Sequence, residues 1–386
     1  MNKKNYLTWA EINLKAIDHN IKEILRLAQR NRFALPTRRG KRKMAVDVLA
    51  IVKADAYGHG MEEVALRLNR CGVNHFAVSD VAEGVELRKL GIKKPILLLE
   101  NSLPESILTI LSYNLTPTIC TLEFAKALNQ YAKKKNKRIP VHINVDTGMG
   151  RLGVWYEEAF NFIKEIFLLR HLTIVGIYTH FPSADSDREF TLGQIKKLYE
   201  LVVKLDRQGL VIPFVHASNS MGLAGYKTDV LNLVRPGLML YGLYPDVTAK
   251  KSIFLKPAMS VKSRIIFIKK LAKGRSVSYG RTFVAPKDMV VATIPIGYSD
   301  GYLRGLSNKS AVLVSGVRCP VIGRVTMDQI VIDVSKVSQV KLGMEVTILG
   351  KEKNQTISAD DLALLTQTIN YEIVCQLGNR LPRIYS

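Results

Sequence analysis

Eight short apolar, β-rich segments, most of them separated by amphipathic helical patterns, run from Val46 to Gly242 and constrain the fold more than any other feature. They read "VDVLAIVKA", "NHFAVSD", "PILLLE", "LTPTIC", "IPVHINVD", "LTIVGIYTHF", "IPFVHAS" and "LVRPGLMLYG". Between them lie stretches such as "MEEVALRLNR", "DVAEGVELRKL", "TLEFAKALNQYAKKK" and "YEEAFNFIKEIFLLR", and a first helical pattern (Leu14, Ile17, Ile21, Ile24, Leu25) precedes the set. The segments are continuous apolar runs, not alternating ones, as strands of a parallel sheet are when helices cover both faces. Eight βα units suit a closed α/β architecture, the (β/α)8 barrel. An open doubly wound sheet is the alternative, but no G-x-G-x-x-G turn follows the first strand, so the dinucleotide-binding signature is missing.

After Gly242 the texture changes. "LYPDVTAKKSIFLKPAMS" reads as a linker, and "MSVKSRIIFIKKL", "MVVATIPIGY", "SAVLVSGVRCPVIGRV", "QIVIDVS" and "MEVTILG" read as short antiparallel strands of a sandwich or barrel. Only "ISADDLALLTQT" looks helical there, with Ser358 as N-cap. The expected division is a barrel over residues 13–244 and a mostly β domain over 245–386. A chain of 386 residues is long enough for both.

Composition removes several function classes. With 47% hydrophobic and 23% charged residues the chain is neither disordered nor fibrous. Its net charge of +23 attracts polyanions. The densest basic run, "TRRGKRK" at 37–43, is punctuated by glycine and lacks interleaved aromatics, so it reads as a solvated loop and no specific nucleic-acid binding is expected. Cys71, Cys120, Cys319 and Cys375 show no C-x-x-C spacing, so neither a zinc site nor a disulfide framework is implied, and no metal is expected. The N-terminus has no apolar signal region and no run reaches the length of a membrane span, which points to a cytoplasmic enzyme or binding protein.

Barrels of this kind gather reactive groups at the C-terminal ends of their strands. Lys53 closes the first strand, Asp146 and Arg151 follow the fifth, and His180 closes the sixth. Asn219 and Ser220 follow the seventh, and Arg235 lies in the eighth before Pro236 and Gly237. Each alone has an ordinary explanation, whereas the set on one rim does not. A lysine withdrawn from water favours its neutral amine, the form that makes a Schiff base, and this is the use expected of Lys53. A Schiff-base cofactor with a phosphate needs a cradle, which barrels often build after strands seven and eight; Ser220, the backbone near Gly222, and Gly237 are placed for it. Pyridoxal phosphate also accounts for Arg235 as the partner of its ring nitrogen.

These motifs resemble those of bacterial alanine racemases, and the resemblance runs from Thr8 to Tyr385. It implies that Lys53 in "VKADAYGHG" carries the cofactor and is the base on the D face of alanine, with Tyr57 on the phosphate. Arg151 in "DTGMGRLG" would contact the cofactor's phenolic oxygen and the substrate, and His180 in "THF" would stack on the ring. Asn219, Ser220 and Gly237 would hold the phosphate, and Arg235 in "RPG" the pyridine nitrogen. "VSYGRTF" resembles the segment of the opposite-face base, which implies that role for Tyr279. "IPIGYSDGY" and "TMDQ" resemble pocket segments, placing Tyr298 at the entrance and Met327 near the substrate. The resemblance further implies a homodimer with shared active sites, a (β/α)8 barrel with a C-terminal β domain, and residues 1–12 joining that domain as a strand.

The implied activity is interconversion of L- and D-alanine by two bases, supplying D-alanine for peptidoglycan. One base can return a proton only to the face it came from, so inversion needs a second. A tyrosine is mostly protonated at neutral pH and needs help to act as a base; the resemblance places His180 beside Tyr279, linked to Arg151 or Arg235. Two positions depart from the family pattern. Asn144 stands where many members have a lysine that orients the motif arginine, and Asn379 stands where some have a tyrosine near the substrate. The space beside Asn379 leads us to expect serine as a further substrate, and a broader serine/alanine racemase is the alternative reading. A barrel-type amino-acid decarboxylase is less well supported, because the chain lacks a Gly-rich phosphate loop and an acidic pyridine partner.

Overall fold

The structure, a computed structural model, describes residues 5–30, 33–37, 40–378 and 380–386. By proximity the chain forms one unit from Ile17–Ala56 with Met61–Lys256, and another from the N-terminal segment through Ala16, the Tyr57–Gly60 turn and Pro257–Ser386.

In the first unit all eight expected strands form. They span Asp47–Ile51, His75–Val78, Ile96–Asn101, Thr116–Ile119, Ile139–Asp146, Leu172–Tyr178, Phe214–His216 and Leu233–Val234. Every neighbouring pair in the order 7-6-5-4-3-2-1-8 is parallel. The seam between strands seven and eight is bridged by Asn232 N donating to Val215 O at 3.0 Å and Arg235 N to Ser218 O at 2.8 Å, which brings the ring to near closure. The apolar runs are explained by burial on both faces: in Ile139–Asp146 only Pro140 is exposed. Outer helices bury one stripe each, and side chains cap their starts. Asp80 accepts from Glu83 N, Thr121 from Phe124 N, and Asp187 from Phe190 N, satisfying otherwise orphaned donors.

The structure corrects three readings. The eighth strand is two residues long, because Pro236 has no N–H to continue a ladder; "LMLY" instead forms a buried 3-10 turn, Leu238–Tyr241. Lys53 and His180 each stand two residues beyond their strands, and Arg235 directly follows its own, so these residues belong to the rim and not to the ladder. The basic run is no simple loop: Phe33–Thr37 and Gly40–Met44 pair as an antiparallel hairpin, with Thr37 opposite Gly40. Residues 38 and 39 of that run lie outside the described residues.

The second unit is built on a mostly antiparallel sheet. Its path runs Phe267–Leu271, Met289–Ile294, Ile330–Asp333, Val317–Ile322, Ala311–Val314, Glu345–Glu352, Met259–Arg264, Thr8–Ile12 and Arg383–Tyr385. Thr8–Ile12 pairs antiparallel with Met259–Arg264 and parallel with Arg383–Tyr385. Leu271, Val277, Ala285, Met289, Val291 and Ile322 form one core cluster. Ser358 caps the helix Ala359–Thr366 in a reciprocal box with Asp361. A further helix, Asn370–Cys375, was not expected, since six residues are too few to display a period. No helix among the described residues is long and apolar enough to cross a membrane.

Candidate active site

Lys53 begins a turn of uncommon backbone geometry. Ala54, Asp55, Ala56 and Tyr57 all have φ between 51° and 54°, a left-handed helical turn built from four consecutive residues other than glycine. L-residues disfavour this conformation by roughly 1–2 kcal/mol each, so surrounding bonds must impose it. Several do. Glu83 accepts from Ala54 N at 2.6 Å and from Ser79 N at 2.7 Å, clasping the ends of the first two strands. Asp55 accepts from Met61 N at 2.7 Å, and the hydroxyl of fully buried Tyr241 donates to Ile51 O at 2.8 Å. Burial pushes the Glu83 carboxyl above its usual range, partly offset by those two N–H groups. The turn leaves Lys53 half-buried.

On the same rim, Arg235 is 4% exposed, and none of its hydrogen-bond partners is a carboxylate. One terminal nitrogen donates to His216 Nδ1 at 2.9 Å; the other donates to Thr179 O at 2.8 Å, Ala217 O at 3.0 Å and His180 Nδ1 at 3.3 Å. The guanidinium also lies 5.2 Å above the Tyr178 ring, which stacks on His216 at 4.8 Å. Burial lowers the Arg235 pKa only to about 10, so the charge persists at neutral pH. Its Nε–H has no partner among the described residues and is the donor left for a ligand. His180 is held neutral, its pKa lowered to about 3 by burial and then by the positive charges of Arg235, Arg151 and Lys53, which places these four side chains in one electrostatic neighbourhood.

The loop after the fifth strand is organised by Asp146. Its carboxylate accepts from Gly148 N, Met149 N and Gly150 N at 2.8–2.9 Å, so this residue shapes the loop that carries exposed Arg151. Gln194, buried in the helix Arg188–Arg207, donates to Thr147 Oγ1 and His180 O, both at 3.0 Å, and ties that loop to the next. Asn144 is buried on the fifth strand, and no hydrogen bond joins its amide to Arg151 among the described residues. Asn219 caps the turn Ser220–Gly225 through Gly222 N at 2.9 Å. Ser220 Oγ accepts long bonds from Gly237 N and Met239 N at 3.3 and 3.4 Å, so a hydroxyl and two backbone donors converge where an anion could replace the weak contacts. The donor set therefore fits a ring nitrogen at Arg235 and a phosphate at Ser220.

Tyr57, Tyr279, Tyr298 and Met327 belong to the second unit. Burial raises the Tyr57 hydroxyl above the ordinary phenol range, and its ring lies 6.0 Å from Tyr371. Gly58 next to it has φ of 77° and no room for a Cβ against the Val374 carbonyl, which explains the glycine of the "YGHG" turn. Tyr279 stands on a strained segment. Ser278 has φ 62° and ψ −174°, a region nearly confined to glycine, and is held by its Oγ donating to Arg324 O at 2.6 Å. Tyr298 N donates to Thr326 O at 3.0 Å and Ser299 N to Met327 O at 3.1 Å, which brings exposed Tyr298 and Met327 side by side. Asn379 lies outside the described residues. Sequence reasoning missed Glu83, Tyr178, Gln194, His142 and His216; the only available signal was two histidines inside otherwise apolar strands.

The family model described as the alanine racemase N-terminal domain matches residues 12–245, and that of the C-terminal domain matches residues 258–385. A curated relative from Halothermothrix orenii, named alanine racemase, is 42% identical over 379 residues, covering 98% of this chain and 96% of its own length. Among solved structures, an alanine racemase of Clostridium difficile 630 superposes with a TM-score of 0.90 at 36% identity, covering 99% of this chain and 96% of that one. The alanine racemase of Bartonella henselae, described with covalently bound pyridoxal phosphate, gives 0.85 at 26% identity over 99% and 100%.

Proposed function

Because the chain belongs to the alanine racemase family, and is a pyridoxal-phosphate-dependent enzyme that interconverts L- and D-alanine, we propose that Lys53 and Tyr279 transfer protons on opposite faces of the substrate α-carbon. The observation that carries this assignment is the exposure of Tyr279, 71% in a single chain. A phenol in open solvent is neither aimed nor shielded from water, and a second copy of the chain is what would enclose it. We therefore place Tyr279 in the barrel mouth of a partner within a homodimer, so that each site draws on two chains.

When bound, pyridoxal phosphate supplies the electron sink that makes the α-proton of alanine removable. Lys53 tethers it and handles the proton on the D face. Arg235 would face the ring nitrogen and, because a guanidinium only donates, would keep that nitrogen unprotonated. Asn219, Ser220, Gly237 and Tyr57 hold the phosphate, and Arg151 faces the phenolic oxygen and the substrate carboxylate. Neutral His180, whose Nδ1 accepts from Arg235 and whose proton therefore sits on Nε2, would lie against the ring and donate to the Tyr279 oxygen, stabilising it as that hydroxyl gives up its proton. Tyr298 would stand at the entrance and Met327 near the substrate. In this reading residues 13–244 bind the cofactor, while 245–386 with residues 1–12 present Tyr279, and the product D-alanine serves peptidoglycan synthesis. The broader serine range rested on Asn379, and nothing in the relatives favours it over alanine.

In deuterated water, Tyr279→Phe is expected to keep α-hydrogen exchange on D-alanine while inversion falls by roughly 10²–10⁴-fold, and Lys53→Ala to lose both. Inversion by Tyr279→Phe at the native rate would remove the assignment.

A further inference from the structure

At the N-terminal ends of the barrel strands, away from the rim that carries Lys53, lies a cavity of about 330 Å³ lined by Leu49, His75, Phe76, Leu97, His142 and Val175, among others. Barrels of this class normally fill that end with side chains. Here the ladder between strands five and six slips at Ile174–Gly176, leaving Val175 as the extra residue of a bulge. Gly176 has no side chain, and the His142 ring occupies the space its Cβ would need. The volume matches the lower range of small-molecule sites.

Thr116 and His142 are the buried polar residues of the lining, and the proton of His142 can be placed by elimination. Arg235 can only donate, so its 2.9 Å bond makes His216 Nδ1 an acceptor and leaves the His216 proton on Nε2. That proton is donated to His142 Nδ1 at 2.8 Å. Burial, followed by the charge of Arg235, holds His216 neutral, and burial with the neighbouring His75 and Arg235 does the same for His142. The remaining proton of neutral His142 therefore sits on Nε2. His142 is 6% exposed, and this nitrogen has no hydrogen-bond partner among the described residues. This N–H opens onto the cavity and is not one of the enclosed unpaired polar atoms, so an acceptor that docks there takes the place of water on it.

We propose that this cavity is a second binding site, which takes a neutral, largely apolar molecule through one oxygen acceptor, a carbonyl or ether, hydrogen-bonded to His142 Nε2. The lining offers no carboxylate to pair a cation. Nor does it favour a buried anion: of its two side-chain cations, Arg88 is committed to the carbonyls of Tyr113, Ile92, Lys94 and Asn114, and Lys93 is exposed, where water screens its charge.

The test titrates the cofactor-loaded enzyme with acetophenone and with ethylbenzene, which share a skeleton and differ in the acceptor, followed by ligand-observed NMR. The native protein should bind acetophenone saturably at one site, with magnetisation transfer from the Leu97 and Val175 methyl groups. Filling the space with Val175→Phe or Leu97→Phe should weaken binding at least tenfold while alanine racemisation continues at the native rate. His142→Phe should weaken acetophenone by about 3–10-fold, the net worth of one hydrogen bond, and leave ethylbenzene within about twofold. Absence of saturable binding, transfer from other methyl groups only, or equal effects of His142→Phe on both probes would each overturn the proposal. The methyl contacts are read in the native protein, so the outcome does not depend on either variant folding.

Discussion

The left-handed turn after Lys53 is held by neighbours and not by its own sequence, since neither alanine nor tyrosine favours φ near +53°. Glu83 is the side chain that reaches both the turn, at Ala54 N, and the next strand end, at Ser79 N. Removing it leaves two backbone donors seeking new partners and frees the turn to relax toward right-handed geometry. Glu83→Ala is expected to lower stability by about 1–3 kcal/mol in denaturant titrations and to loosen retention of the coenzyme, seen as loss of its absorbance on dialysis. Glu83→Gln, which keeps one acceptor, should retain part of both. An unchanged coenzyme affinity in Glu83→Ala would mean that the turn is fixed by other bonds. Arg235 shows the complementary case, a cation whose partners are all neutral, so its charge remains available for a docked ring nitrogen.

Among the elements, those with a clear local signal were legible and those shaped by distant contacts were not. "IPVHINVD" coincides with the fifth strand because an apolar run closed by Asp146 admits little else, and Ser358 caps its helix because its partner Asp361 lies within the same turn. The hairpin at Phe33–Met44 was hidden by its lysines and arginines, which mask the strand period, and Asn370–Cys375 by its brevity. The shortened eighth strand was readable in principle from Pro236. Within the site, Lys53, His180, Ser220 and Arg235 stood out because unusual residue types ended apolar runs. Tyr178, Gln194, His142 and His216 did not, because their roles depend on partners far along the chain: the two histidines that touch are 74 residues apart.

For the whole molecule, the buried histidines carry a consequence for acid stability. His142 and His180 are held down to about 3 from an ordinary value near 6.5, and His216 is also lowered, burial being the main cause in each. In the folded state these rings bind fewer protons than in the unfolded chain, so stability must fall as pH drops below about 6.5 and be regained above it. Each ring contributes up to about 1.4 kcal/mol per pH unit, and the net charge of +23 grows in the same direction. Denaturant midpoints should therefore decline steeply between pH 6 and 4, with a shallower slope in His142→Phe; equal slopes would show that His142 is not held neutral by the fold. In the proposed homodimer each active site would draw on Lys53 of one chain and Tyr279 of another. Lys53→Ala and Tyr279→Phe, each inactive alone, can be co-expressed in equal amounts. Random pairing makes half of the dimers mixed, and each mixed dimer holds one site with both native groups, so about a quarter of the native racemase activity should return. Activity no higher than that of the two variants measured separately would contradict a site shared between chains.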